Sequence, residues 1–175
     1  LKFHKEVLVS AHNLSLRYEG SDRELFSGLR FTVKCGERVI LSGENGCGKS
    51  SILKAILQMR DYRGQEPGSR LLISGNLYVA SGMTISYVNQ DTSFLTGPLR
   101  KYCKENGLDE SLFLAVLRQL DLGREQFVKD MRDFSEGQKK KVLIAASLIT
   151  PAHLYIWDEP LNYIDVFSRM QIENL

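Results

Sequence analysis

The chain has 175 residues, 43% of them hydrophobic and 25% charged, which suffices for one domain with its own core and excludes a disordered or disulfide-stapled chain. A net charge of +2 and a pI near 8.4 supply no general pull toward nucleic acid or an anionic membrane. The longest apolar run, Val142 to Ile149, is too short to span a bilayer, so direct membrane insertion is not expected. Three cysteines, Cys35, Cys47 and Cys103, lack metal-type spacing; an odd count without a signal peptide points to a reducing, cytoplasmic location. The chain begins at Leu1, not Met, and stops at Leu175 inside a helical pattern, so a longer parent protein is expected.

Residues Val7 to Tyr18 read as a strand turned by Glu19-Gly20-Ser21-Asp22, and Leu29 to Val33 alternate as a second strand. Tyr18 has two readings: a ring that stacks on a nucleotide base, or an aromatic filling a strand edge. Next, Arg38-Val39-Ile40-Leu41-Ser42 reads as a strand, and Ser51 to Leu57 has the apolar spacing of a helix start. Between them lies Gly43-Glu44-Asn45-Gly46-Cys47-Gly48-Lys49-Ser50, the G-x-x-x-x-G-K-S pattern called Walker A, followed by Ser51. Its glycines let successive N–H groups point inward at phosphate oxygens, and the new helix adds its positive end. Lys49 is placed to reach the β- and γ-phosphates of ATP and Ser50 to ligate Mg²⁺, while Cys47 is a small loop residue with no catalytic part.

Further strands are expected over residues 70–80 and 85–88, the second ending in Asn89-Gln90-Asp91. Gln90 is then either a turn residue or an amide facing a metal or an attacking water. From about 97 to 135 the pattern turns helical, with Leu112, Phe113, Ala115, Val116, Leu117 and Leu120 at helical spacing, which predicts a small helical subdomain inserted in one domain over 1–175. Ser135 with Gln138 three positions on is a capping box opening a helix through Leu148. The box either caps the helix and no more, or presents a serine hydroxyl, the Gly137 N–H and a positive helix end to a phosphate. Lys139, Lys140 and Lys141 read as a solvated face, with an RNA-contacting patch as the minor alternative. Finally, His153 to Trp157 reads as a buried strand running into Asp158-Glu159-Pro160. Two carboxylates beyond a strand's carboxyl end fit a Mg²⁺ partner, Asp158, and a residue that orients or deprotonates water, Glu159. This is the Walker B pattern.

Taken together these motifs resemble the ATP-binding-cassette (ABC) ATPases over nearly the whole chain. The order is Tyr18, Walker A, Gln90 of a Q-loop, a helical stretch, the signature Ser135-Glu136-Gly137-Gln138, Walker B, then a D-loop Asn162-Tyr163-Ile164-Asp165. The resemblance implies an α/β P-loop cassette: a central, mostly parallel sheet with flanking helices, an N-terminal antiparallel β subdomain and a small helical subdomain. It implies a head-to-tail pair of cassettes, with ATP between the Walker motifs of one and the signature of the other, and it favours base stacking by Tyr18. A fragment alone is then expected to bind ATP and hydrolyse it weakly or not at all.

The wording of the motifs separates branches. Phe-Ser-Glu-Gly-Gln from Phe134 and Glu-Pro-Leu-Asn-Tyr-Ile-Asp from Glu159 depart from the Leu-Ser-Gly-Gly-Gln and Ser-Ala-Leu-Asp forms usual in transporters. The second is similar to the Glu-Pro-Thr-Asn-His-Leu-Asp of ABC-F proteins, and the stretches Ser135–Ala145 and Ala152–Leu175 look closest to their antibiotic-resistance branch and its C-terminal cassette. That resemblance implies a soluble two-cassette protein that acts on the ribosome and its RNA through regions outside this sequence. The rival is the ATP-binding subunit of a membrane transporter. A non-hydrolysing assembly module is opposed by the presence of Glu159, and a DNA-repair cassette by the shortness of the insert. Two departures stand out: the signature glycine is replaced by Glu136, and the family's switch histidine is not reached, since 16 residues follow Glu159.

Overall fold

The computed structural model describes residues 3–60 and 70–162. They fall into two compact units, one up to Thr84 and one from Ile85 onward.

The first unit is built on a three-stranded antiparallel sheet of order β2-β1-β3: β1 Val7–Tyr18, β2 Glu24–Lys34 and β3 Leu71–Val79. The central strand carries the core, with Leu8, Val9, Ala11, Leu14 and Leu16 buried, while β2 is largely open to solvent. Pairing sets Val9 against Val33 on one side and Val79 on the other. Between His12 and Ser15 the register with β3 shifts, where Asn13 takes a φ of 52°. The facing Gly75 has a φ of 81°, and a Cβ there would lie 2.0 Å from the Asn13 carbonyl oxygen, so the bulge requires glycine. Helix α1, Lys49–Gln58, buries Ile52, Ala55, Ile56 and Leu57 against β3 and β1. Its end is pinned by Gln58, whose amide donates to the Leu71 carbonyl at 2.9 Å and accepts from the Leu71 N–H at 3.0 Å.

The second unit holds a parallel pair, β4 Ile85–Val88 and β5 Leu154–Trp157, in register from Ile85 opposite Leu154 to Val88 opposite Trp157. Parallel strands need a crossover. It is supplied by α2 Leu99–Glu105, α3 Glu110–Gln119, two 3-10 turns at Arg124–Val128 and Met131–Asp133, and α4 Glu136–Ile149. Phe113, Leu117, Leu120, Met131, Phe134, Val142 and Ile144 close one apolar core with Val88 and Leu99. Asp109 caps α3 by accepting from the Leu112 N–H at 2.8 Å. Ser135 and Gln138 form both arms of the capping box on α4, as the sequence predicts.

Two expectations are corrected. Residues 38–42 make no strand: the backbone is irregular there, with Val39 51%, Ile40 89% and Leu41 37% exposed. Apolar, β-branched residues give a segment the propensity for a strand, but ladder partners make it one, and here the chain leaves β2 by a turn and runs directly into the phosphate loop. The three lysines are not a solvated face either. Lys140 is 2% and Lys141 6% exposed, and the Lys139 side chain 12%. Consecutive helical residues point about 100° apart, so three in a row cannot share one outer face of a helix packed nearly all round.

Candidate functional site

In the first unit the segment before α1 is shaped by glycine dihedrals and a few local hydrogen bonds. Cys47 donates its N–H to the Glu44 carbonyl at 3.3 Å, and Ser51 and Ile52 donate to the Gly48 carbonyl at 3.0 and 3.2 Å. Gly46 and Gly48 have φ of 77° and 96°. At Gly48 the dihedral calls for glycine, and a Cβ would also press on the far edge of the Phe26 ring at 2.7 Å, so that ring would have to move. The Lys49 ammonium folds back over the loop and donates to the Gly43 and Glu44 carbonyls, both at 2.9 Å. This holds a positive charge at the amino end of α1, whose first turn contains no acid and whose cap has no side-chain acceptor. Such an end favours anions. Tyr18 reaches the same helix: its hydroxyl oxygen lies 2.9 Å from that of Ser51, in hydrogen bond, so the last residue of β1 is tied to the first turn beyond the loop.

In the second unit the carboxyl ends of β4 and β5 gather a cluster of polar groups. The last rung is the Asp158 N–H on the Val88 carbonyl at 3.0 Å, and Asp158 itself is 3% exposed. Glu159 takes a φ of 47°, a left-handed conformation costly for a side chain of its length. It is held there by two amides: Gln90 donates from Nε2 to Glu159 Oε2 at 2.9 Å, and Asn162 donates from Nδ2 to the same oxygen. Beneath them, Ser86 and Ser147 share a hydrogen bond of 2.8 Å and the Trp157 indole donates to Ser147 at 2.9 Å, fastening both strands to α4. The signature stretch opens that helix. Glu136 accepts from the Thr92 hydroxyl and, at 3.4 Å, from Lys139. The Thr92 bond, then the Lys139 ammonium, hold its carboxyl below the usual carboxylate range.

A glycine-rich loop opening a helix, two acids beyond a parallel strand and a capped helix between them match one sequence profile, that of the ABC transporter family, over residues 26–162. The chain belongs to the ABC transporter family. Members of this family bind and hydrolyse ATP, so this is an ATP-binding cassette and an ATPase domain. It is 30% identical over 158 residues to the ribosome protection protein VmlR of Bacillus subtilis (strain 168), a match covering 87% of this chain and 26% of VmlR. It is 29% identical over 174 residues to the zinc import ATP-binding protein ZnuC of Vibrio cholerae, covering 97% of this chain and 61% of ZnuC. The cassette therefore spans about a quarter of the one relative and under two thirds of the other. Among solved structures, an ABC transporter ATP-binding protein from Pyrococcus furiosus superposes with a TM-score of 0.74 at 19% identity, covering 95% of this chain and 82% of that one, which establishes the shared fold.

Within the cassette the structure joins Tyr18 to the Walker A helix and Gln90 and Asn162 to Glu159. Asp165, expected in the D-loop, lies outside the described residues, as do 163 and 164. Ser135 and Gln138 spend side-chain groups on each other in the capping box. One residue that the sequence did not single out, and one that it placed on a solvated face, belong to this cluster. Thr92 is buried and bonds Glu136, and Lys140 sits among backbone carbonyls at the ends of both parallel strands. A signal for Lys140 was present: it stands three and four positions before Leu143 and Ile144, on their stripe of the helix, where a lysine must find acceptors.

Proposed function

We propose that this cassette hydrolyses ATP at a composite site formed with a second cassette, within a cytoplasmic ABC-F protein that acts on the ribosome. The observation that carries this reading is the stretch Asp158-Glu159-Pro160-Leu161-Asn162, in which the asparagine that marks the ABC-F wording lies on the carboxylate of Glu159. Similarity to a ribosome protection protein supports it.

In this scheme the loop from Gly43 through Glu44, Asn45, Gly46, Cys47 and Gly48 to Ser51 wraps the phosphates with its N–H groups. Lys49 neutralises the β- and γ-phosphoryl oxygens, and the Tyr18 ring stacks on the base. The Ser50 hydroxyl, the Gln90 amide oxygen and the Asp158 carboxylate are hard oxygen donors of the kind Mg²⁺ takes. When bound, Mg²⁺ would offset negative charge on the phosphates. Glu159 accepts a proton from the attacking water, with Gln90 and Asn162 fixing the direction of its carboxylate. Ser135, Glu136, Gly137 and Gln138 serve the nucleotide of the opposing cassette, and Asn162 with Asp165 meets that cassette across the pair. Neither cassette supplies every group, so hydrolysis depends on pairing.

Likeness to ZnuC favours a second reading, the ATP-binding subunit of a membrane transporter. The two separate in one experiment. The protein at its natural length, carrying Glu159→Gln and the same change in its other cassette, is sedimented with ribosomes with and without ATP. ATP-dependent co-sedimentation is the expected result. Failure to co-sediment, with recovery in the membrane fraction, would transfer the assignment to the transporter subunit.

A further inference from the structure

Lys140 is a cation inside a helix that could have been apolar at that position. The residue is 2% exposed, and burial pulls its pKa down against the opposing influence of Asp158, Glu159 and Glu136. Burying an ammonium is costly unless its donors are met. An ammonium has three N–H groups, and three backbone carbonyl oxygens surround this one: Asn89 at 3.0 Å, Gln90 at 3.4 Å and Asp158 at 3.4 Å.

Those carbonyls have a place in common. Val88 opposite Trp157 is the last residue pair of β4 and β5, and the Asp158 N–H on Val88 is the last rung. Beyond it the two strands leave their shared ladder, one continuing to Gln90 and the other to Glu159. The Lys140 ammonium fills the fork between them and donates to carbonyls of both, joining the two strand ends to α4. The same turn of chain is held a second time from α4, by Thr92 on Glu136. Gln90 and Glu159 meet at 2.9 Å just outside this fork, so their approach is set by backbone that Lys140 holds from below.

We propose that Lys140 is a positioning residue for ATP hydrolysis: it fastens the diverging ends of β4 and β5 to the signature helix and so sets Gln90 against Glu159. The proposal rests on the reading of Glu159 as the group that takes the proton from water.

The test is a double-mutant cycle on ATP hydrolysis by the protein at its natural length, with Lys140→Met, Gln90→Ala and the pair. Lys140→Met is expected to lower kcat by about tenfold or more while KM for ATP stays within about threefold. If Lys140 acts through Gln90, the double variant is no slower than the slower single variant, because the second change removes what the first had already misplaced. Unchanged kcat in Lys140→Met, or losses that multiply in the double variant, overturns the proposal. Should Lys140→Met not fold, Lys140→Leu, which likewise removes every donor, is read in the same way. If neither folds, Lys140 holds the fold and does not position the site, and the proposal fails. Glu159→Gln is run alongside. Retained hydrolysis there removes the reading of Glu159 by itself; lost hydrolysis there, with Lys140→Met at full rate, removes the positioning role alone.

Discussion

The phosphate loop and the ends of β4 and β5 solve opposite problems. The loop from Gly43 to Gly48 is open, shaped by glycine dihedrals and a few local hydrogen bonds, and its cation reaches back to its own carbonyls. The strand ends are crowded: a buried carboxylate, a strained glutamate held by two amides, and a buried ammonium of α4 that bonds the backbone of both strands. A segment that must wrap a polyanion needs free N–H groups, so it cannot spend them on a sheet. A segment that must aim one carboxylate needs the reverse, with every neighbouring polar group already committed. Openness grips and crowding aims.

Substitutions can break this contrast. The largest effect is expected at the crowded end. Glu159→Gln keeps the size and the hydrogen-bonding reach of the side chain but not its basicity. It should lower kcat by roughly 10²–10⁴ in paired cassettes, with ATP affinity little changed when binding is measured directly. A proportional loss of affinity would show that this end also grips. The next effect belongs to the open end. Gly48→Ala forces a side chain into a φ of 96° and into the Phe26 ring. Strain of ~1–3 kcal/mol corresponds to roughly 5- to 150-fold weaker ATP binding by titration. Adding Phe26→Leu should recover part of that loss, since the ring clash is relieved and the dihedral is not. Full recovery would mean that the loop's curvature is not held by glycine.

The smallest effect concerns the crossover itself. Asp130 accepts from the Arg132 side chain at 2.9 Å, from the Arg132 N–H at 2.9 Å and from the Gly97 N–H at 2.8 Å, which holds its carboxyl well below the usual range. A depressed folded-state pKa gives stability that is fully present above about pH 4 and lost as pH falls toward the folded value. The stability lost in Asp130→Asn, followed by circular dichroism, should therefore be fully seen at neutral pH and shrink as pH falls below about 4, where the carboxyl of the unsubstituted protein is itself becoming protonated. A difference of the same size at neutral and at acid pH would point to packing rather than charge.

Much of this was legible in the sequence, for definite reasons. The limits of β1 and β4 are marked by turn residues, and the opening of α4 by Ser135 and Gln138. These are local signals, written within four or five residues. The identities of the phosphate loop and the acids followed from spacing, since that chemistry needs those atoms in that order. Residues 38–42 misled because apolarity states a preference and ladder partners decide the outcome. Lys140 misled because charge was read along the chain and not around the helix. The approach of Gln90 to Glu159 could not be read at all, because 69 residues separate them and only parallel pairing brings the two strand ends together.

The network beneath the acids has a practical side. The chain contains one tryptophan, and it is the last residue of β5, next to Asp158, with its indole N–H on Ser147 of the signature helix. Tryptophan emission from this cassette, excited at wavelengths its seven tyrosines do not absorb, is therefore a single-site signal with its origin at the Walker B strand. A shift in emission as ATP is added would report on the joint between strand and helix, with no label attached.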